Sequence, residues 1–172
     1  LKSKKNRIIL RIKENPSYQM KMRSALNGCL MQEDDRSIET RKEWKLATEA
    51  SLNEAQMLDL EFGIKAVKHL KSNGIALVKN QQLIGMGCGQ VSRIDALKHA
   101  IHKAVEFGFD LTGAVMASDA FFPFADCVEI ADKAGIIAVA QPGGSVKDQD
   151  SIDYCNAHQL AMVMTGVRHF NH

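Results

Sequence analysis

The sequence predicts an α/β fold in which helices cover the faces of a sheet that contains parallel strands. In the last third of the chain, short apolar runs at 114–117, 136–140 and 160–164 alternate with helical patterns at 124–133 and 148–158. Strand–helix–strand alternation of this kind favours parallel neighbours. Hydrophobic residues make up 45% of the 172 residues, which is enough to build a buried core.

The N-terminal quarter is predicted from local signals alone. Residues 1–22 are basic and irregular, although 7–12 has the composition of a short strand. Residues 24–31 read as a strand, or as a hairpin that turns at Asn27-Gly28. The strongly charged stretch 33–49 is predicted to be a surface connection.

The middle of the chain is predicted to contain two helices and a hairpin. Asn53 can cap a helix that has an apolar face and that ends at 72–74, with Gly74 as a left-handed cap. Apolar runs at 75–79 and 83–86 predict a β-hairpin around Asn80-Gln81-Gln82. A second helix follows, and its pattern spans 95–107.

Composition excludes several function classes. A net charge of +2 and a pI of about 8.4 are too low to indicate nucleic-acid binding. The sequence contains no run of 18 apolar residues, so no membrane span is predicted. The first residues do not resemble a signal peptide, and the start at Leu1 suggests a piece of a longer protein. Four scattered cysteines predict free thiols in a reducing compartment.

The first candidate site lies at 85–93, where three alternate glycines precede a helix start. Such glycines let the backbone approach a ligand, and a helix start presents free N–H groups. Ser92 and Arg93 would add a hydroxyl and a cation for an anion or a polar ring. The spacing of the glycines supports an alternative equally well: a strand that needs glycine to pass close to a neighbouring element, with Arg93 merely exposed.

The second candidate site, 116–124, has three phenylalanines within four positions after a strand. One of them could form a wall for a flat ring, but the residues alone favour a core role, with Pro123 at a helix start. Asp119 and Asp126 flank the aromatic residues. Each suits a helix cap, a ligand acceptor or a cation ligand.

Two further candidate sites also follow strands. In 141–147, Ser145 can cap the next helix and backbone N–H groups could hold a carboxylate or amide, although a plain turn is favoured. In 168–172, the Arg168 guanidinium could bind a phosphate through two parallel hydrogen bonds, or Arg168 could belong to a solvated basic tail. The remaining histidines are predicted to be surface residues on helices: His69, His99, His102 and His158.

Together these segments resemble one family. The strings K-S-N at 71–73, G-C-G-Q-V-S-R at 87–93, A-S-D-A-F-F-P-F at 117–124, Q-P-G-G-S at 141–145 and R-H-F at 168–170 are similar to the aminoimidazole carboxamide ribonucleotide (AICAR) formyltransferase domain of the bifunctional purine-biosynthesis enzyme. The A-S-D-A-F-F-P-F string is the most specific. By this resemblance, residues 23–172 are the C-terminal part of that domain.

The resemblance implies a cytidine-deaminase-like layered fold, duplicated in the whole domain, with this chain supplying mainly the second copy. It implies a cytoplasmic homodimer with active sites between subunits, completed by the missing N-terminal part of the same enzyme. The reaction moves a formyl group from 10-formyltetrahydrofolate to AICAR, before ring closure to inosine monophosphate. Zinc, nucleic acid and membranes are not expected partners.

The resemblance also assigns residues to ligands. The residues that would contact AICAR are Asn73, Arg93 and Arg168. The residues that would contact folate are Ile94, Phe121, Asp126, Ser145 and Val146. Asp119 resembles an acidic residue near a bound potassium ion.

Three features depart from the family pattern. Cys88 stands where alanine is common, a small change, and Ala125 stands where a basic residue is usual, which puts in question a charge contact beside Asp126. The family's catalytic Lys-His pair lies in a K-H-A-N-P-C-G motif that this chain lacks, and Lys68-His69 has a helical context that does not match it. Because that histidine would accept a proton and that lysine would stabilise the transition state, the chain alone is expected to have little or no turnover.

Two other function classes remain open. The chain could be a non-catalytic module that binds a nucleotide or folate. A zinc base deaminase would share the implied fold, but the sequence has neither the H-x-E nor the P-C-x-x-C element of that class.

Overall fold

A computed structural model describes residues 8, 10–13, 20–37 and 39–171. The chain divides into two compact units, the first ending at Arg36 and the second beginning at Ser37. All of the residues assigned to ligands from the sequence lie in the second unit.

The first unit contains a β-hairpin. Strand β1 (Met20–Ala25) pairs antiparallel with β2 (Gly28–Glu33). The predicted hairpin is therefore confirmed, but its turn lies at Leu26 and Asn27, one residue earlier than predicted. Leu26 takes the left-handed conformation with φ of 50°, and Gly28 pairs with Ala25 as the first residue of β2.

Two N-terminal predictions need correction. Strand β1 begins at Met20, inside the segment 1–22 that was predicted to be irregular, because its residues pair with β2. The strand predicted at 7–12 is not found at residues 8 and 10–12, and residues 7 and 9 lie outside the described part of the chain.

The second unit is built on a six-stranded mixed sheet with the strand order β3-β8-β7-β6-β4-β5. Strands β6, β7 and β8 are parallel, so the predicted α/β class is confirmed. The strands are β3 (Lys45–Leu46), β4 (Ile75–Lys79), β5 (Gln82–Gly87), β6 (Val115–Ser118), β7 (Ala138–Gln141) and β8 (Ala161–Met164). The helices are α1 (Glu54–Val67), α2 (Arg93–Glu106), α3 (Asp126–Lys133) and α4 (Asp148–Ala157).

Helices cover both faces of this sheet. Alternate residues of each strand point to opposite faces, so Leu77 of β4 packs with α2 and α3 while Val78 packs with α1. The α1 face of the sheet is lined by small residues. There Gly63 of α1 comes so close to Ala117 of β6 that an added Cβ would lie 3.0 Å from the alanine Cβ.

The first helix starts as predicted but ends early. Asn53 caps it, since its side-chain oxygen accepts a hydrogen bond from the Gln56 N–H at 2.9 Å. The helix ends at Val67, and Gly74 does not take the left-handed conformation predicted for it. Space is tight around Gly74 instead, because an added Cβ would lie 3.2 Å from the Leu70 Cβ.

The stretch predicted as a surface connection, 33–49, partly joins the core. Strand β3 pairs antiparallel with β8, and the buried Thr48 Oγ1 accepts a hydrogen bond from the Met162 N–H at 2.8 Å. Trp44 packs against the apolar cluster under α1. These few buried groups fix the connection, although charged residues dominate its sequence.

The buried Asp59 of α1 fixes the hairpin turn between β4 and β5. Its carboxylate accepts hydrogen bonds from the Asn80 N–H at 2.9 Å and from the Gln81 N–H at 2.5 Å, and both turn residues are left-handed. We expect Asp59→Ala to lower the free energy of unfolding by about 2 kcal/mol, since hydrogen bonds to a charged group are lost. Urea denaturation measures this change. A loss no larger than that of Glu49→Ala, at an exposed position, would contradict the assigned role.

Candidate functional site

The loops that carry the candidate residues meet at one edge of the sheet. Strands β5 to β8 all end there, and β4 begins there, because Ile75 pairs with both Gly87 of β5 and Ser118 of β6. We call this the site edge. The segments at it are 71–74, 88–93, 119–125, 142–147 and 165–171.

Arg93 is held in a buried ion pair at the site edge. It is the first residue of α2; its Nε donates to Ser118 Oγ at 2.9 Å, and its Nη2 donates to Asp119 Oδ1 at 2.5 Å. Arg93 is only 8% exposed and Asp119 is 0% exposed. The alternative that Arg93 lies exposed is therefore wrong, and its Nη1 is left without a protein partner among the described residues.

The second carboxylate oxygen of Asp119 is buried and has no hydrogen-bond partner among the described residues. An unpaired buried carboxylate oxygen costs stability, so such a position suits a cation or a donor. An added Cβ on the adjacent Gly74 would lie 3.5 Å from Asp119 Oδ2 and 3.5 Å from the Lys71 carbonyl oxygen. The Lys71 carbonyl already accepts a hydrogen bond from the Gly89 N–H at 2.8 Å, so the Asp119 oxygen is the unpaired acceptor at this spot among the described residues.

Asn73 lies in the loop that leads into β4. Both its backbone N–H and its side-chain Nδ2 donate to the Gln90 carbonyl, at 3.3 and 3.0 Å. The preceding Ser72 exchanges two hydrogen bonds with Asn171, at 3.0 and 3.1 Å. This loop thus joins the segment before α2 to the C-terminal segment, and it brings Asn73 beside the Arg93 loop.

Arg168 is exposed, and its guanidinium lies 5.5 Å from the ring centroid of Phe170. The residue between them, His169, is 1% exposed and is anchored twice. Its N–H donates to the Asp119 carbonyl at 2.9 Å, and its Nε2 lies 2.8 Å from Glu39 Oε1. The anchoring places the backbone that follows Arg168 beside the backbone of Asp119.

The buried pair of Glu39 and His169 was missed from the sequence. Both side chains are almost fully buried, yet they lie 130 residues apart in the chain. Glu39 belongs to a charged stretch that reads as solvated, and the histidine belongs to a polar tail. No local pattern could have linked them.

The three phenylalanines have different environments. Phe122 is fully buried, and its N–H donates to Gln141 Oε1 at 2.9 Å, so the core interpretation holds for it. Phe121 is half-buried and Phe124 is 58% exposed, which leaves both rings accessible at the site edge. Pro123 does not start a helix, since α3 begins only at Asp126.

Ile94, the second residue of α2, is half-buried and packs against the cluster beneath α2. At the start of α3, Asp126 is also half-buried, and its Oδ1 is buried without a partner among the described residues. Burial, and then the neighbouring Asp126 carboxylate, raises the pKa of the Cys127 thiol to about 12. This thiol therefore stays protonated and is not a nucleophile near neutral pH.

The loop between β7 and α4 is held by the first residue of the helix. Asp148 Oδ2 accepts hydrogen bonds from the Gly144 N–H at 2.6 Å and the Ser145 N–H at 3.1 Å. Ser145 Oγ accepts a hydrogen bond from the Lys147 N–H at 3.1 Å. Ser145 was predicted to cap α4, but this bond instead closes a turn that ends at Lys147, the residue before the helix. Val146 is 99% exposed, and its N–H has no partner among the described residues.

Other side-chain predictions can be compared directly. The four cysteines are free, as predicted, and the histidines predicted to be on the surface are all exposed. Lys68-His69 follows the end of α1 rather than lying within a helix. Within the described residues, no group of three or more His, Cys, Asp or Glu side chains could hold a metal ion, and no helix is long and apolar enough to cross a membrane.

Comparison with known proteins identifies close relatives. The family described as the AICARFT/IMPCHase bienzyme matches residues 1–103. The bifunctional purine biosynthesis protein PurH of Bacteroides thetaiotaomicron is 57% identical over all 172 residues, which cover 34% of that protein. The PurH protein of Aquifex aeolicus is 52% identical over 145 residues, covering 84% of this chain and 28% of the relative. The chain thus spans about a third of the length of the curated relatives it matches.

Two solved structures are similar to parts of the chain. The dCMP deaminase of the cyanophage S-TIM5 gives a TM-score of 0.44 at 15% identity, covering 65% of this chain and 98% of that chain. A diaminohydroxyphosphoribosylaminopyrimidine deaminase/5-amino-6-(5-phosphoribosylamino)uracil reductase of Thermotoga maritima gives a TM-score of 0.40 at 18% identity. The match covers 67% of this chain and 35% of that chain.

Proposed function

Since the chain belongs to the AICARFT/IMPCHase bienzyme family, we propose that it forms the C-terminal part of a domain that transfers a formyl group from 10-formyltetrahydrofolate to AICAR. The observation that carries this proposal is the buried pair of Arg93 and Asp119 at the site edge, which also bears Arg168 and the 142–147 loop. The site edge thus has arginine side chains that can bind a phosphate. Beside them are accessible aromatic rings and hydrogen-bond donors that can bind a flat cofactor.

The AICAR half of the proposed site consists of Asn73, Arg93 and Arg168. The Asp119 carboxylate and the Ser118 hydroxyl orient the Arg93 guanidinium, so it can present its remaining donors without a large entropic cost. Arg168 is exposed and suits the phosphate, because a guanidinium fork matches phosphate oxygens. These side chains would bind and orient AICAR rather than take part in proton transfer.

The folate half consists of Ile94, Phe121, Asp126, Ser145 and Val146. The half-buried Phe121 ring can stack on a flat pterin, and the Val146 N–H is a donor that the described residues leave unused. The AICAR amine is a weak nucleophile, since its lone pair is delocalised into the ring and carboxamide. Holding both reactants in attack geometry would therefore supply much of the rate enhancement.

We propose that a potassium ion binds beside Asp119. The buried Oδ2 atom lacks a protein donor among the described residues, and the Lys71 carbonyl faces the same spot across Gly74. Asp119 and nearby carbonyl groups would hold the ion, whose positive charge would offset the burial of the carboxylate.

The proton-handling groups are proposed to come from outside this chain. The K-H-A-N-P-C-G motif is absent from the 172 residues, so a further segment of the enzyme must deliver the lysine and histidine. We propose that this occurs in a homodimer whose sites lie between subunits. A reducing, cytoplasmic compartment agrees with the four free cysteines.

Arg168→Ala tests the proposed phosphate contact. We expect AICAR to bind about 10- to 100-fold more weakly, because a charge-assisted bidentate contact to phosphate is lost. Isothermal titration of AICAR into the wild-type and variant chains measures the affinity. The melting temperature should not change, since the side chain is exposed and its only described contact is with Phe170.

The control for this test is Lys133→Ala, which removes an exposed cation at the end of α3. Lys133 lies at the other end of α3 from the site edge, so AICAR affinity should be unchanged. Equal weakening by both variants would indicate a general charge effect and would contradict the assigned contact.

The second candidate function, a non-catalytic nucleotide or folate module, is favoured only by the missing Lys-His motif. AICAR titrated into this chain and into the full-length relative of Bacteroides thetaiotaomicron separates the two functions. Near-equal affinities would favour the module. A much weaker affinity of this chain would favour a site that needs further segments, and measurable formyl transfer by this chain alone would contradict the proposed source of the proton-handling groups.

A further inference from the structure

The loop that joins β7 to α4 is fixed firmly at its base. Two consecutive carbonyl groups at the end of β7 accept hydrogen bonds from the segment after β8. Thr165 N–H donates to the Gln141 carbonyl at 2.8 Å, and Gly166 N–H donates to the Pro142 carbonyl at 3.1 Å. The crest of the loop, residues 143–146, lies beyond these two contacts.

The crest contains two glycines in the left-handed region, with φ of 74° at Gly143 and 97° at Gly144. Glycine is conformationally permissive, so this backbone is not rigid by itself. The one side chain that the described residues bring to the Gly144 and Ser145 N–H groups is Asp148, through the two hydrogen bonds already described. The Asp148 N–H returns a hydrogen bond to the Ser145 carbonyl at 3.2 Å, which closes the turn.

These contacts decide which donor the loop presents. Asp148 occupies the N–H groups of Gly144 and Ser145, and the Ser145 hydroxyl occupies that of Lys147. Among residues 144–147, the N–H of Val146 is the one that has no partner among the described residues. The carboxylate therefore holds the crest, and the Val146 N–H stays available, as does the Gly143 N–H at the start of the crest.

The arrangement is not the most stable one for Asp148 itself. Its second oxygen, Oδ1, is buried and has no partner among the described residues, although the residue begins a ten-residue helix. A buried carboxylate oxygen without a donor costs stability. Proteins break such local rules at functional sites and compensate for them elsewhere.

We infer that Asp148 is a positioning residue for folate binding, which sets the 143–146 crest so that Val146 N–H faces the pterin. This inference rests on the proposed function, since it requires a folate at the site edge. Asp148 acts through the loop and does not touch the reacting atoms. Its contribution is to order two glycine peptides before the ligand arrives, which lowers the entropic cost of binding.

The test compares Asp148→Ala with Asp148→Asn in the whole chain. Tetrahydrofolate and AICAR are each titrated by calorimetry, and amide hydrogen exchange is followed at Gly144 and Ser145. We expect Asp148→Ala to bind tetrahydrofolate about 10-fold more weakly, with faster exchange at both amides and unchanged AICAR affinity. Asp148→Asn should retain most of the affinity, because its amide oxygen can still accept from both N–H groups.

Asp150→Ala is the matched control. Asp150 lies in the same first turn of α4, carries the same charge and is exposed, with an ion pair to Lys147 at 3.3 Å. Its loss should leave both affinities and the two amide exchange rates unchanged. If Asp150→Ala weakens folate binding as much as Asp148→Ala, the effect comes from the helix charge and the inference is overturned.

The remaining outcomes separate this inference from the proposed function. If the wild-type chain binds tetrahydrofolate and Asp148→Ala binds it equally well, the positioning role is wrong and the proposed folate site stands. If Asp148→Ala weakens AICAR as much as folate, the residue acts on overall structure and the inference is overturned. If the wild-type chain does not bind tetrahydrofolate even when the missing N-terminal part of the enzyme is added, the folate half of the proposed function fails and the inference fails with it.

Discussion

Gly87→Ala is expected to lower the free energy of unfolding by more than about 3 kcal/mol, which lies at the upper end of overpacking effects. A Cβ at this position would lie 1.9 Å from the Ala96 carbonyl oxygen and 2.6 Å from its carbon. Both are backbone atoms within α2, so neither can rotate away. Strand and helix would have to separate, and the core between them would open.

Urea denaturation of the wild-type and variant chains measures this loss. The control is Gln82→Ala, an exposed position at the other end of the same strand, where a change below about 0.5 kcal/mol is expected. Gly85 has the same kind of contact, with its Cβ position 2.4 Å from the Ala100 carbonyl oxygen, so Gly85→Ala should also be severe. A tolerated alanine at Gly87 would show that β5 and α2 do not approach this closely.

Asp119→Ala is expected to cost about 3–5 kcal/mol of stability, because it leaves the Arg93 guanidinium buried and without its carboxylate. The same variant should abolish detectable AICAR binding under the proposed function, since the guanidinium loses the contact that orients it. Urea denaturation gives the first quantity and calorimetric titration of AICAR the second.

A double variant separates the two effects. In Arg93→Met with Asp119→Val, both charges are replaced by apolar groups, and such replacements of a buried pair are often neutral. We expect stability to return to within about 1 kcal/mol of the wild-type value, because no unpaired charge is left buried, while AICAR binding stays lost. Wild-type affinity in the double variant would show that Arg93 does not bind AICAR, whatever the stability.

The regular elements of the second unit could largely be predicted, because their signals are local. Asn53 caps α1 through a contact three residues away, and the alternation of strands and helices after residue 114 needs only short windows. The predictions that were wrong concern contacts between segments that lie far apart in the sequence. Strand β3 has two residues and exists only because β8 offers it a partner. Gly74 lies in a tight space beside Leu70 and does not have a positive φ.

The candidate site could be predicted segment by segment but not as one arrangement. Loops after strands were the correct places to look, yet the pairing of Arg93 with Asp119 depends on the strand order. Strand β4 lies between β5 and β6 and runs against both, which brings the start of α2 to the end of β6. The alternation of strands and helices along the chain does not encode the order of the strands in the sheet. The burial of Arg93 follows from that strand order.

The mixed sheet leaves its opposite edge without any of the proposed ligand contacts. That edge carries the tight turns at Asn80 and Gln159, both left-handed and exposed, and the connections into β6 and β7. Short exposed connections of this kind tolerate added residues better than the elements they join. The turn at Gln159 is therefore a suitable place to insert a fluorescent tag, because the proposed ligand contacts lie at the other ends of the strands of the same sheet.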